Sequence, residues 1–262
     1  MLFNEEVAIT LGNKVLITSS LVQINQNEKY VVLGQNGVGK TTLMNYIYEK
    51  VKNSFNTLYV TQSENISDQC TVYEYMLKAD TKLFSVYKRH CELEEIINNE
   101  NETITQEVFD ESKQCWEILN NNIFSVYNSR IHKILNGLGF DNPDLQINLL
   151  SGGQHTKLSL ARALLLEPSL LLLDEPSNHL DLNNILWLEE YLADYKKTLI
   201  VISHNIDFID SFASKIIYFF NVDPQHPQVF ACKGGYNNFV KAFEQKRKDY
   251  VNEYEKYCRR VQ

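Results

Sequence analysis

No apolar run in this chain approaches the roughly 18 residues that a membrane-spanning helix needs; the longest leucine-rich run ends at Asp174. The opening residues, Met1-Leu2-Phe3-Asn4-Glu5-Glu6, have neither the basic nor the apolar region of a secretory leader. The five cysteines (Cys70, Cys91, Cys115, Cys232 and Cys258) form no C-x-x-C pair. An odd, scattered set argues against a disulfide frame or a zinc site and for reduced thiols in a cytosolic setting. A net charge of −8 excludes a surface that is basic all over. The sign is uneven: from Lys241 onward Lys246, Arg247, Lys248, Lys256, Arg259 and Arg260 outweigh Glu244, Asp249, Glu253 and Glu255. Such a tail could meet RNA, although a mixed run is more often a solvated helix face.

Glycine is scarce, and its placement is informative. Of ten glycines, Gly34, Gly37 and Gly39 fall in one short stretch, and Gly152 and Gly153 in another. The remainder is ordinary: 262 residues, 44% hydrophobic and 22% charged, enough for one large domain or two small ones.

The first glycine stretch is Val31-Val32-Leu33-Gly34-Gln35-Asn36-Gly37-Val38-Gly39-Lys40-Thr41-Thr42, read as a buried strand, a loop and a helix start. Gly34, Gly39, Lys40 and Thr41 have phosphate-loop spacing. A polyphosphate must approach the backbone closely, and glycine permits the turn that aims successive N–H groups at it. A helix opening at Thr41 adds its positive end. Lys40 can reach the outer phosphates, and the Thr41 hydroxyl can ligate Mg²⁺.

Around this loop the periodicity predicts an α/β protein. Residues 6–33 alternate as β structure with a turn at Gly12-Asn13. A helix with Leu43, Ile47 and Val51 on one face precedes a strand at Thr57–Thr61, which delivers Gln62. Residues 71–140 show helical patterns with almost no strand signal, broken at Asn98–Glu102 and Asn120–Asn122, and are read as a helical insertion. Thr71 and Glu74 have capping-box spacing. Helix and strand alternate again after Asn142-Pro143, with a turn at Asp223-Pro224 and His226-Pro227. A long charged helix starts at Tyr236.

Two later stretches carry chemistry. Leu170–Leu173 is a fully apolar strand that ends in Asp174 and Glu175. A carboxylate at the end of a parallel strand beside a phosphate loop can hold a metal's water shell, which assigns Asp174. Glu175 is placed as general base or orienter for an attacking water. Ser151, Gly152, Gly153 and Gln154 read as a second anion nest or as an ordinary serine-capped helix; residue chemistry alone leaves both open.

In their order along the chain, Gly34–Thr42, Gln62, Leu150–Gln154, Leu170–Glu175, Ser177–Asp181 and His204 resemble an ATP-binding-cassette ATPase domain. Glu175-Pro176-Ser177-Asn178-His179-Leu180-Asp181 is similar to the variant of the ABC-F family, which usually has Thr where Ser177 stands. The resemblance implies a P-loop ATP-binding-cassette fold with an antiparallel β subdomain. It implies a cassette over residues 1–240, containing the insertion, and the start of a charged helical linker over 241–262. It implies ATP and Mg²⁺, with Gln62 as a metal and water contact and His204 touching the γ-phosphate. Asp181 would cross a dimer interface, and Ser151–Gln154 would act on ATP held by a second cassette. Motifs for one cassette are present, so a fragment or a chain that needs a partner is expected. The family acts on ribosomes, so rRNA or tRNA is an expected partner and the cytoplasm the expected location. The alternative is the ATPase subunit of a membrane transporter. Two departures stand out. Leu11-Gly12-Asn13-Lys14-Val15-Leu16-Ile17 lacks the aromatic that normally stacks on adenine, and Asn205 follows the histidine in place of aspartate.

Overall fold

The computed structural model describes residues 1–12, 14–62, 66–98, 105–220 and 227–261, with side chains as far as Asn252. Asn13 of the expected Gly12-Asn13 turn, all but Pro227 of the turn at Asp223-Pro224 and His226-Pro227, and most of the break at Asn98–Glu102 lie outside the described residues. The chain divides into two compact units, Met1–Gln62 with Glu167–Gln262, and Ser63–Leu166.

The first unit opens on an antiparallel hairpin, β1 (Phe3–Leu11) and β2 (Lys14–Ile24). Five further strands follow in this unit's core: β3 (Lys29–Leu33), β4 (Thr57–Val60), β5 (Leu170–Asp174), β6 (Thr198–Ile202) and β7 (Lys215–Phe220). With β8 (Gln228–Lys233) they form one sheet in the order β4-β5-β6-β3-β7-β8, parallel except for the β7–β8 pair. Leu170–Leu173 and Leu199–Val201 have no exposed surface. Strands buried on both faces cannot alternate, which is why these stretches read as continuous apolar runs. The hairpin is tied to β8, Thr18 N donating to Pro227 O at 2.7 Å and Val229 N to Ser20 Oγ at 3.2 Å.

Helix α1 (Lys40–Val51) follows β3 and buries Leu43, Met44, Ile47 and Val51 against the sheet core. Parallel register sends the C-terminal ends of β3, β4, β5 and β6 to one edge, where the phosphate loop, Gln62, Asp174 and His204 emerge.

The second unit is helical: α2 (Val72–Leu77), α3 (Thr81–Asn98), α4 (Gln106–Leu119), α5 (Asn122–Gly137) and α6 (Gly152–Leu166). Thr71 and Glu74 form the expected capping box on α2. The asparagine cluster marks a start as well as a break, because Asn121 Oδ1 accepts from Phe124 N at 2.9 Å and so caps α5.

Back in the first unit, α7 (Leu182–Asp194) and α8 (Ile206–Asp210) lead to the long α9 (Tyr236–Val261). Strand β8 was not expected. Its run Val229–Cys232 lies on the edge, and its structure comes from pairing with β7 and from aromatic packing rather than from alternation. Phe239 of α9, 6% exposed, packs against Tyr218, Phe230 and Phe243, and Lys246 Nζ lies 4.5 Å above the Phe230 ring. The helix therefore runs without a break through residue 241, where a linker was expected to begin.

Replacing Phe239 with Ala empties this cluster. Urea unfolding should show a loss of about 3–5 kcal/mol. Leu21→Thr, at a side chain 61% exposed on the hairpin, should stay within about 0.5 kcal/mol.

Candidate active site

The ends of four strands, β3 to β6, and the β1–β2 hairpin line a cavity of about 630 Å³. The phosphate loop supplies Asn36, Gly37, Gly39, Lys40, Thr41 and Thr42. Its glycines are there for backbone reasons. Gly39 has φ 111°, and a Cβ on it would lie 3.1 Å from Leu16 Cδ1; Gly37 has φ 74° with nothing within 4 Å of its missing Cβ. The first lets the loop close against the hairpin, and the second leaves an open cradle.

Lys40 curls back into this loop. Its ammonium donates to Gly34 O at 2.9 Å and Gln35 O at 3.1 Å, and lies 3.1 Å from His204 Nε2. The residue is 8% exposed. Burial pulls its pKa below the lysine norm, against the upward pull of Glu175 and then Asp174. Although the His204 side chain is about half exposed (49%), desolvation and then the Lys40 charge lower its pKa and favour the neutral imidazole. A neutral ring accepting at Nε2 carries its proton on Nδ1. Glu175 Oε1, 3.4 Å from that Nε2, is then a neighbour of the imidazole and not its ion-pair partner.

The two carboxylates at the end of β5 differ. Asp174 Oδ2 accepts from Thr41 Oγ1 at 2.8 Å and from Tyr59 Oη at 3.4 Å, while Oδ1 accepts from Gln62 Nε2 at 3.4 Å. Glu175 has left-handed backbone, φ 50°, with its N–H donating to Ile202 O at 2.9 Å. For a non-glycine residue this conformation costs on the order of 1–3 kcal/mol and persists only where its surroundings hold it. Burial raises the Glu175 pKa; the His204 backbone N–H opposes this, the Asp174 charge adds to it, and Lys40 opposes it.

Thr41, Gln62 and Asp174 offer a hydroxyl, an amide and one carboxylate. Among the described residues no three His, Cys, Asp or Glu side chains gather into a metal site. An oxygen-rich set with a single carboxylate fits Mg²⁺, which keeps waters and shares phosphate oxygens, and does not fit a transition metal.

Other expected site residues fall elsewhere. Gly34, Gln35 and Val38 belong to the loop but face neighbouring hollows. Asp181 caps α7: Oδ1 accepts from Asn184 N at 3.0 Å and Oδ2 from Asn184 Nδ2 at 3.1 Å. In the helical unit, Ser151 Oγ accepts from Gln154 N at 3.3 Å and Gln154 Oε1 from Ser151 N at 2.9 Å, a reciprocal cap around Gly152 and Gly153 at the start of α6. Sequence reasoning missed Tyr59, Lys14, Leu16 and Asn178. Tyr59 lies on β4, beyond whose end Gln62 emerges; burial and then the Asp174 charge push its hydroxyl pKa up.

A phosphate loop between a parallel strand and a helix, with carboxylates ending a second strand, defines the P-loop class of nucleotide-binding fold. The sequence profile of the ABC transporter family matches residues 18–178. ABC transporter F family member 4 of Arabidopsis thaliana is 32% identical, over 98% of this chain and 36% of that protein. F family member 2 of Dictyostelium discoideum is 34% identical, over 90% of this chain and 39% of that one. The fold resembles a chain in the crystal structure of the complex of archaeal ribosomal stalk protein aP1 and archaeal ribosome recycling factor aABCE1. That match has TM-score 0.64 and 20% identity, and covers 92% of this chain and 41% of the other. The chain belongs to the ATP-binding-cassette family, in its F branch, and spans well under half the length of these two curated relatives.

Since the folded-state pKa of Glu175 lies above its ordinary 4.5, its ionisation opposes folding. That penalty is absent below pH 4.5 and grows as pH rises through the folded value. Glu175→Gln should therefore be more stable than the parent at about pH 8 and show no advantage at about pH 4, as read from urea midpoints. A constant difference between the two would contradict the raised pKa.

Proposed function

We propose that this chain binds ATP with Mg²⁺ and hydrolyses it, each ATP being closed between two cassettes. The observation that carries the reading is the convergence of a buried lysine, a hydroxyl-bound aspartate and a desolvated glutamate on one cavity beside a glycine cradle. Gly34, Gln35, Asn36, Gly37, Val38, Gly39, Lys40, Thr41, Thr42 and Gln62 bind the nucleotide. Lys40 releases its loop carbonyls to meet the outer phosphates. Thr41, Gln62 and Asp174 hold Mg²⁺, which neutralises phosphate charge when bound. Glu175, its basicity raised by burial, orients the attacking water and takes its proton. His204, a neutral acceptor and donor, positions the γ-phosphate.

Ser151, Gly152, Gly153 and Gln154 serve the ATP of a second cassette. Their mutual cap leaves the positive end of α6 available to an anion. Asp181 fixes the start of α7 at the interface between cassettes. The second cassette comes from further along a longer chain or from another copy, as the relatives' greater length suggests. We assign residues 1–240 to the cassette and 241–262 to a linker whose first turns are seated on it. Membership of the F branch supports a cytoplasmic role on ribosomes, with rRNA or tRNA as partners. Among the described residues no helix is long and apolar enough to cross a membrane.

Glu175→Gln should retain ATP binding and lose turnover by about a hundredfold or more, measured as steady-state phosphate release. Specific activity of residues 1–262 should rise with protein concentration, because the facing nest comes from another copy. Parental turnover in the variant, or activity independent of concentration, would sink the respective assignment.

A further inference from the structure

Asp174 is the one carboxylate in the proposed metal-ligand set, and it is 6% exposed. Its Oδ2 accepts from Thr41 and from Tyr59, and its Oδ1 from Gln62. Thr41 and Gln62 are themselves assigned to the metal. Tyr59 is the donor of the three that carries no such duty, and it is set back from the cavity lining. Packing alone does not account for a tyrosine here. The ring is braced by the core cluster and by Tyr48 of α1, whose ring centroid is 5.9 Å away, and phenylalanine would fill the same space. What tyrosine adds is one hydroxyl, and that hydroxyl lies 3.4 Å from the carboxylate.

Strand register builds the contact. Tyr59 pairs with Leu172 in the parallel β4–β5 ladder. Side chains two residues apart on a strand share a face, so Leu172 and Asp174 point the same way, and Tyr59 beside Leu172 points with them. The phenol has only to lean forward by two residues, roughly 6.6 Å, to meet the carboxylate. A carboxylate turns broadly about its last torsion, and freedom lost before a ligand arrives is freedom that binding need not remove. Two hydroxyls on Oδ2 stop that rotation and leave Oδ1 on the Gln62 side. We infer that Tyr59 is a positioning residue of this site: its hydroxyl holds the Asp174 carboxylate in the orientation that binds Mg²⁺, and so sets the Mg²⁺ concentration the site needs. The inference rests on the nucleotide and metal reading above and deepens it, because Tyr59 acts through Asp174 and not on the ligand.

Equilibrium binding of the β,γ-imido analogue of ATP, titrated with Mg²⁺ from none (excess chelator) to saturation, tests it on the parent, Tyr59→Phe and Tyr59→Leu. In the parent, Mg²⁺ should tighten binding with a defined midpoint. Tyr59→Phe should move that midpoint about fivefold or more to higher Mg²⁺, since partners behind a metal ligand typically contribute about tenfold or more and this bond is a long one. Without metal, its affinity for the analogue should stay within about twofold of the parent's, because fold and phosphate loop are intact. Tyr59→Leu, which loses the ring as well, should show at least the same shift. A shift below about fivefold in Tyr59→Phe would make Tyr59 a packing residue and overturn the proposal. So would an equal loss of affinity with and without metal, which marks a structural strut. A parent that binds the analogue equally with and without Mg²⁺, or not at all, would instead remove the metal or nucleotide site itself, and the inference with it.

Discussion

A single ammonium holds the site together. Lys40 is buried among two backbone carbonyls of its own loop and an imidazole, and the charges of Glu175 and Asp174 only partly offset that burial. Carbonyl dipoles and an imidazole lone pair solvate a cation less well than water does, which is why its pKa falls. A polyphosphate offers that ammonium far stronger acceptors. The same charge adds to the desolvation that lowers the His204 pKa and opposes the burial that raises Glu175.

The sheet makes that placement possible. Strands β3, β5 and β6 are mostly apolar and lie side by side, so loop, carboxylates and histidine emerge along one edge. Stability is sacrificed at the last step, where Glu175 is both desolvated and left-handed in backbone. A group in ordinary conformation and full solvent would be a weaker base at neutral pH. The strain thus belongs to the chemistry, and the buried strands beneath it hold it in place.

Much of this was legible in residue order. Glycine placement marked the phosphate loop, leucine continuity marked β5, and helical periodicity marked the insertion, because each reports directly on backbone geometry or burial. What escaped depends on contacts between distant segments. Strand β8 exists through pairing with β7 and aromatic packing under α9. Tyr59 reaches Asp174 across two adjacent strands, a relation no spacing encodes. Ser151 could be read from sequence as an anion nest or as a helix cap, and Asp181 reads there only as an interface residue; the observed bonds of both are those of caps.

The central claim is that Lys40 is poised for an outer phosphate. Thermal unfolding of the parent and of Lys40→Met, each with and without saturating Mg-ATP, tests it most directly. The parent's midpoint should climb with nucleotide while that of the variant stays put, since ligand stabilises only what it binds. Equal climbs in both proteins would show that the ammonium is a structural strut of the loop and that the nucleotide is held by other means.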